Sequence, residues 1–222
     1  MDGQTPRIVV LISGSGSNLQ AIIDAVSNED FDAEVVAVIS NKPNVLGLER
    51  ASKAKIATSV IDHKEYPQRE VFDAHLLKEI ERHQPDLIVL AGFMRILTPD
   101  FVKRYEGRML NIHPSLLPKY PGLNTHQRAI DAGDKVHGVT VHFVTAELDS
   151  GPNVIQAQVK TFENDTAESL SKRVQEQEHI IYPIATKWFV EGRLKMVENK
   201  ALLDNENLPE SGLVLEAAET LH

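Results

Sequence analysis

The sequence contains no cysteine among its 222 residues. This absence excludes thiolate catalysis, disulfide bonds and zinc sites with cysteine ligands, and it is typical of proteins in a reducing compartment. No apolar run is long enough to cross a bilayer. The first residues, MDGQTPR, also lack the charged-then-apolar order of a signal peptide. We therefore expect a cytoplasmic protein without a membrane partner.

The chain also lacks an excess of positive charge, because 23 Lys and Arg stand against 32 Asp and Glu, which gives a net charge of −9. Nucleic-acid backbones are bound mainly by clustered Lys and Arg, so this balance argues against a nucleic-acid partner. Part of the negative charge is local, since residues 205–222 carry four Glu and neither Lys nor Arg. The protein could still bind a small anionic ligand at a local anion-binding site.

The first half of the chain alternates between two patterns. Helical spacing occurs at 18–26, 46–54 and 69–83. Four short and mostly continuous apolar runs predict strands that are covered on both faces: RIVVLI at 7–12, EVVAVIS at 34–40, ATSVID at 57–62 and DLIVLAG at 86–92. Strands that alternate with helices predict a parallel sheet with right-handed crossovers.

The second half follows a different rhythm. It predicts a fifth strand at 108–112, an antiparallel pair at 138–145 and 153–161, a long helix over 166–192, and a short hairpin after it. The predicted fold class is therefore α/β: a single doubly wound, Rossmann-like domain over residues 1–205, with a mostly parallel sheet and an antiparallel strand in the second half. The halves are 1–92 and 93–205. Residues 206–222 are expected to form a disordered acidic tail.

A glycine-rich turn, SGSGSN at 13–18, follows the first predicted strand and opens a helix. Unpaired N–H groups and the helix dipole favour a phosphate at such a position. The turn is not a Walker loop, and Leu19 stands where a dinucleotide fingerprint needs its third glycine. Ser40, Asn41 and Lys42 also replace the acidic residue that would bind NAD. The turn favours a monophosphate site; the alternative is a tight turn with a capping serine.

The stretch NIHPSLLPKYPGLNTHQRAI at 111–130 contains three prolines and begins with an amide and an imidazole. Asn111 and His113 are two residues apart at the end of a predicted strand, so both can point to one side. Asp149 lies in the turn between the following strands. These three groups suit oxyanion stabilisation and proton transfer in acyl transfer. The alternative is a loop cap and a turn former.

The remaining histidines and motifs give no evidence for a further catalytic or metal site. His137 and His142 differ by an odd number on one strand, so they should face opposite sides; we expect structural roles, with His142 able to support the site from behind. The chain has no H-E-x-x-H motif and no convergent imidazoles, so a metal is not expected. It also lacks the G-x-S-x-G elbow of a serine nucleophile.

Six ordered motifs resemble one family closely: GSGSN, AGFMRIL at 91–97, NIHPSLLPKYPG at 111–122, HGVTVHFV at 137–144, LDSGP at 148–152 and RVQEQEHIIYP at 173–183. They are similar to the folate-dependent phosphoribosylglycinamide formyltransferases of purine synthesis. The resemblance implies transfer of the formyl group of 10-formyltetrahydrofolate, as co-substrate and without a metal, to the amine of glycinamide ribonucleotide. It implies small-molecule partners and a monomer or homodimer.

The resemblance also implies roles for residues. The catalytic set would be Asn111, His113 and Asp149. The ribonucleotide would be held by Gly16, Ser17, Asn18, Gln175 and Glu178. The folate would be held by Arg69, Met94, Arg95, Ile96, Leu97, Asn111, Thr145 and Asp149. In this reading residues 1–92 bind the phosphate and 93–205 bind the folate.

Three rival functions and two departures accompany the resemblance. A formyltetrahydrofolate hydrolase would use water instead of the amine, and transfer to initiator methionyl-tRNA would need an added domain and a basic surface. A non-catalytic module for phosphate ligands would explain the glycine turn but not the polar set.

Asn153 replaces an expected apolar residue after Gly-Pro, and the C-terminal tail is longer and more acidic than the motifs require.

Overall fold

A mixed sheet forms the centre of the computed structural model, which describes residues 4–216. Within those residues the sheet has eight strands: β1 (Arg7–Ile12), β2 (Glu34–Ser40), β3 (Ala57–Val60), β4 (Leu87–Leu90), β5 (Met109–His113), β6 (Val136–Phe143), β7 (Asn153–Lys160) and β11 (Leu213–Leu215). Their order is β11-β7-β6-β5-β4-β1-β2-β3. A second, antiparallel sheet contains β8 (Leu194–Val197), β9 (Lys200–Leu203) and β10 (Glu206–Asn207).

Helices cover both faces of the large sheet. They are α1 (Ser17–Ser27), α2 (Leu46–Lys53), α3 (Arg69–Arg82), α4 (Pro99–Arg104), α5 (Thr125–Asp131) and α6 (Ala167–Val190). Alternate residues of β1 point to opposite faces, as the period of a strand requires. Ile8 and Val10 pack in one apolar cluster with α1 and α6, whereas Val9 and Leu11 pack in another with α3 and α4. The predicted doubly wound α/β arrangement is confirmed.

Strand directions also agree with the prediction. The pairs β1 with β2, β1 with β4, β2 with β3 and β4 with β5 are parallel, and β6 is antiparallel to both β5 and β7. The hairpin of β8 and β9 is present as expected. No helix within the described range 4–216 is long and apolar enough to cross a membrane.

Helix α6 packs against the sheet beside the strands that carry the candidate site residues. It begins at a capping box, in which the side chains of Thr166 and Ser169 each accept from the other residue's backbone N–H. The helix continues through Pro183. The buried hydroxyl of Tyr182 lies 2.7 Å from the carbonyl oxygen of Leu90 and 2.9 Å from that of Leu110. These contacts fix α6 beside the end of β4 and the start of β5, next to Asn111.

One omission and one prediction need correction. The sequence patterns did not predict helices α4 and α5, because six and seven residues are too few to show a helical period clearly. The prediction of a disordered tail from residue 206 is wrong for residues 206–207 and 213–215, which form β10 and β11. Leu208 and Leu215 pack against the main apolar cluster, an effect that the local count of charges concealed. Residues 217–222 of the tail lie outside the described residues.

Candidate active site

Strand β5 places two polar side chains near the centre of the large sheet. Asn111 lies opposite Leu90, the last residue of β4, and opposite His142 of β6. His113 follows two residues later, and its side chain is 7% exposed. Because side chains two apart share a face of a strand, both residues line the same cavity.

The Pro-rich segment after β5 determines which nitrogen of His113 meets a ligand. Nε2 of His113 lies 2.8 Å from the carbonyl oxygen of Tyr120. A carbonyl oxygen only accepts, so this contact assigns the proton to Nε2 and leaves the lone pair of the neutral ring on Nδ1. Tyr120 has φ +55° and donates from its hydroxyl to Asp134 at 2.7 Å. The segment also contains a cis peptide bond between Leu117 and Pro118.

Asp149 reaches His113 from the loop between β6 and β7. Its Oδ2 lies 3.5 Å from Nδ1 of His113 and accepts a hydrogen bond from the backbone N–H of Gly122 at 2.9 Å. Its Oδ1 lies 3.9 Å from Nε2 of His142. The backbone of Asp149 has φ +50°, a left-handed conformation that non-glycine residues adopt rarely and often at functional sites. The carboxylate is therefore held between two imidazoles by a constrained turn.

His142 orients the amide of Asn111. Nδ1 of His142 lies 2.8 Å from the carbonyl oxygen of Phe143, so this nitrogen carries the proton. Nε2 then has a lone pair, which accepts from Nδ2 of Asn111 at 3.4 Å. Burial lowers the pKa of His142, which keeps its ring neutral and able to accept. Asn111 has a second N–H on the same nitrogen for a ligand. The expected support from His142 is thus a defined contact.

The glycine-rich turn is shaped by close backbone packing. Gly16 is the N-cap of α1 with φ +70°, and a Cβ there would lie 2.6 Å from Cα of Gly47. Arg50 lies beside the turn, but its Nε donates to the carbonyl oxygen of Ser15 at 2.8 Å. The first backbone N–H groups of α1 have no partner within the helix. Because the turn is fixed, these N–H groups all point outward from the start of the helix. Free N–H groups at such a turn are able to bind an anion.

Helix α6 is tied to this turn by two side-chain contacts. Gln175 donates to Oγ of Ser17 at 3.1 Å, and Nδ2 of Asn18 donates to Oε2 of Glu178 at 2.9 Å. Oδ1 of Asn18 is buried and has no hydrogen-bond partner among the described residues. Burial raises the pKa of Glu178, and the Asn18 contact opposes that shift. An uncommitted acceptor beside a carboxyl group suits a ligand that brings N–H or O–H donors.

A cavity of about 650 Å³ joins these groups. Asn18 and Glu178 line it together with Asn111, His113 and Asp149, which links the start of α1 to the centre of the sheet. Gly16, Ser17 and Gln175 do not belong to its lining, and Ser17 lines a separate cavity together with Gln20, Arg50 and His179. The volume falls within the usual range for sites of small molecules.

One wall of the cavity is apolar and exposed. The loop after β4 contributes Met94, Arg95, Ile96 and Leu97, and the β6–β7 loop contributes Thr145. Met94 and Ile96 are 62% and 53% exposed. Neighbouring exposed apolar side chains at a concave surface are typical of a site for a flat apolar ligand. The residues predicted for the folate thus lie together, except for Arg69.

Arg69 lies outside the cavity, at the exposed start of α3. The same helix holds the loop after β4, because the guanidinium of Arg95 lies 4.4 Å from the ring centre of Phe72 and Asp73 accepts from the N–H of Thr98 at 2.6 Å. Residues three and four apart share a helix face, so Arg69 is one turn away from this loop. Its predicted contact with the folate stays a prediction.

Some contacts of the site have no signature in the sequence. The carbonyl of Tyr120 and the N–H of Gly122 are backbone groups, so no residue type announces them. A neighbouring pair also escaped prediction: Nδ1 of His126 lies 3.1 Å from Nε2 of His137. Burial lowers the pKa of both, that of His137 to about 4. Among residues 4–216, no group of three or more His, Asp or Glu side chains is arranged to hold a metal ion.

Comparison with known proteins adds independent findings. Residues 6–186 match the family model described as formyl transferase. The chain belongs to this family. It is 56% identical over 206 residues to the phosphoribosylglycinamide formyltransferase of Escherichia coli K12. The aligned region covers 93% of this chain and 97% of the relative. The phosphoribosylglycinamide formyltransferase of Coxiella burnetii, solved in complex with CHES, has a TM-score of 0.91 and 51% identity, over 96% of this chain and 100% of that chain.

The family extends to much longer proteins. The trifunctional purine biosynthetic protein adenosine-3 of Homo sapiens is 46% identical over 87% of this chain, which corresponds to 19% of its own length. The resemblance inferred from the six motifs is confirmed by these matches, and so is the enzyme class of a formyltransferase.

Proposed function

We infer that the chain transfers the formyl group of 10-formyltetrahydrofolate to the amine of glycinamide ribonucleotide in de novo purine biosynthesis. The products are formylglycinamide ribonucleotide and tetrahydrofolate. The observation that carries this inference is the cavity that connects the set Asn111, His113 and Asp149 with Asn18 and Glu178 at the start of α1. The Escherichia coli relative supports the choice of substrate. Residues 1–92 supply the phosphate turn, and residues 93–205 supply the folate wall and the catalytic set.

The difficult step is the build-up of negative charge on the formyl oxygen. The attacking amine needs little activation, because α-amino groups titrate at pH values of about 8 and are partly neutral near pH 7. The second N–H of the Asn111 amide and the Nδ1 atom of a protonated His113 face one volume and meet the oxyanion there. Such preorganised donors stabilise the transition state far more than the ground state.

Proton transfer is restricted to one nitrogen of His113. Since Nε2 is engaged by the Tyr120 carbonyl at 2.8 Å, a proton can enter or leave only at Nδ1. Asp149 lies 3.5 Å from this atom and stabilises the imidazolium form. Catalytic contacts of this length often tighten when substrate binds. Asp149 accepts the proton from the attacking amine, and the His113 imidazolium gives its Nδ1 proton to the departing folate nitrogen as the C–N bond breaks. Transfer of the proton from Asp149 to Nδ1 then restores the imidazolium.

The two substrates enter from opposite ends. The N–H groups that follow Gly16, with Ser17, bind the ribonucleotide phosphate, and Gln175 and Glu178 approach the ribose and the glycinamide amine. The uncommitted oxygen of Asn18 accepts from the same ligand. The pterin lies on the segment from Met94 to Leu97 against Thr145, and Arg69 pairs with the folate glutamate.

One assay tests this function. Purified protein is incubated with 10-formyltetrahydrofolate, with and without glycinamide ribonucleotide, and the release of tetrahydrofolate is followed. Release that requires the ribonucleotide supports the transferase. Release without it would assign the chain to the hydrolases, and ribonucleotide binding without any release would assign it to non-catalytic binding modules.

A further inference from the structure

The residue that opens β7 is tied to the C-terminal segment. Asn153 donates from Nδ2 to the carbonyl oxygen of Glu210 at 2.8 Å. We call residues 209–215 the C-terminal strap. The motifs predict an apolar residue at position 153 and a shorter tail, so the two departures from the family pattern meet in one hydrogen bond.

The strap lies directly on the backbone of β7. Its strand β11 pairs in parallel with β7, with Leu213 opposite Ile155 and Leu215 opposite Ala157. Gly212 has φ +72°, and a Cβ there would lie 2.5 Å from the carbonyl carbon of Val154. Without the strap, β7 would be the edge of the sheet. Edge strands with unpaired backbone groups are less restrained than inner strands.

The other side of the same turn is held by β6. A Cβ on Gly151 would lie 1.8 Å from the carbonyl oxygen of Phe143, so the turn approaches β6 as closely as a glycine allows. The N–H of Phe143 donates to the carbonyl oxygen of Pro152 at 3.0 Å. The catalytic turn therefore has two supports: β6 at Gly151 and Pro152, and the strap at Asn153.

We propose that Asn153 and the C-terminal strap are positioning elements for Asp149. The left-handed backbone of Asp149 persists only where its surroundings determine it. Its carboxylate must meet Gly122 at 2.9 Å and His113 at 3.5 Å at the same time. A displacement of one ångström at such a group lowers turnover strongly, and the strap holds the residue from which the turn departs. The activity readout of this proposal rests on the formyltransferase function above.

Two full-length variants remove the support by independent routes. N153A deletes the donor to Glu210, and G212A forces the strap away from Val154 without touching the turn. We expect each to lower kcat about tenfold with little change in the KM for the ribonucleotide, which binds at the other end of the cavity. The kcat of the double variant should be no lower than that of the less active single variant, because both changes release the same strap. N153Q keeps an N–H donor and should recover part of the loss.

A second readout does not depend on turnover. The backbone N–H of Gly122 donates to Asp149, so its hydrogen exchange reports the position of the carboxylate. N153A and G212A should both speed this exchange. V214T is the matched control, because it keeps a β-branched residue at a half-exposed position of the strap. It should leave kcat and exchange as in the wild type.

Several results would overturn the proposal. They are kcat and Gly122 exchange within about twofold of the wild type in N153A, additive losses in the double variant, or a KM that rises as much as kcat falls. If G212A does not fold, N153A and N153Q decide alone. If the wild type shows no ribonucleotide-dependent release, the proposed function fails, and Gly122 exchange still decides whether the strap holds Asp149.

Discussion

The two ends of the cavity are built in different ways. The proposed ribonucleotide end is built mainly from neighbours in sequence, Gly16, Ser17 and Asn18, at the start of a helix whose backbone N–H groups we propose to bind the phosphate. The catalytic end combines Asn111 and His113 with Asp149, which lies on another loop and contacts His113 at 3.5 Å. Binding by several backbone groups tolerates the loss of one side chain, whereas chemistry at single atoms does not. Changes at the first end should therefore act on KM, and changes at the second should act on kcat.

The largest expected effect is that of His113→Ala. It removes the nitrogen at which we propose that the proton moves, together with a proposed donor to the oxyanion, so kcat should fall by about 10²–10³. The KM for glycinamide ribonucleotide should change little. Steady-state kinetics with both substrates varied measures the two constants separately. His75→Ala, at an exposed position of α3, is the control. Turnover near that of the wild type in His113→Ala would remove this residue from the mechanism.

Asp149→Asn should have the next largest effect. The amide keeps the shape of the side chain, and its oxygen can still accept from Gly122, but the charge that stabilises the imidazolium is lost. We expect kcat to fall about 10²-fold, less than in His113→Ala. The double variant should be scarcely worse than His113→Ala alone, because the two residues act as a unit. Fully additive losses would show that Asp149 acts without His113.

Ser17→Glu tests the ribonucleotide end. A carboxylate beside the bound phosphate repels it by roughly 1–4 kcal/mol at about 4 Å, depending on the local dielectric. The KM for the ribonucleotide should rise about tenfold or more, and kcat at saturation should stay near its normal value. Ser17→Gln is the matched neutral control and should change KM much less. An unchanged KM in Ser17→Glu would place the phosphate elsewhere.

The same contrast explains what the sequence could predict. The glycine turn and the strands from Arg7 to Leu90 are local patterns, and β-branched runs between helical segments predicted them correctly. The shared face of Asn111 and His113 followed from the period of a strand. The catalytic contacts did not follow, because Asp149 meets the backbone of Gly122, which lies 27 residues away, and backbone groups have no sequence signature. The prediction of a disordered tail failed for a similar reason. Leu213 and Leu215 are ordered by pairing with β7, and the local sequence does not reveal this distant contact.

The smallest effect concerns stability at the catalytic end. His137 is buried and neutral with a pKa of about 4, below the 6.5 of a free imidazole. The unfolded chain therefore binds more protons between these values, and the free energy of unfolding should fall as pH drops from 6.5 towards 4. From pH 6.5 to pH 5.5 this group alone contributes a loss of about 1 kcal/mol. Urea unfolding at the two pH values measures it.

His137→Gln isolates this contribution from the remaining carboxylates and histidines. The variant lacks the titrating ring beside His126, so its free energy of unfolding should fall less between the two pH values than that of the wild type. His75→Gln, at an exposed site, should leave the pH dependence unchanged. The ring of His137 lies 6.3 Å from that of Tyr120, whose carbonyl oxygen contacts Nε2 of His113. Equal pH dependence in the wild type and in His137→Gln would contradict the assignment of this stability loss to His137.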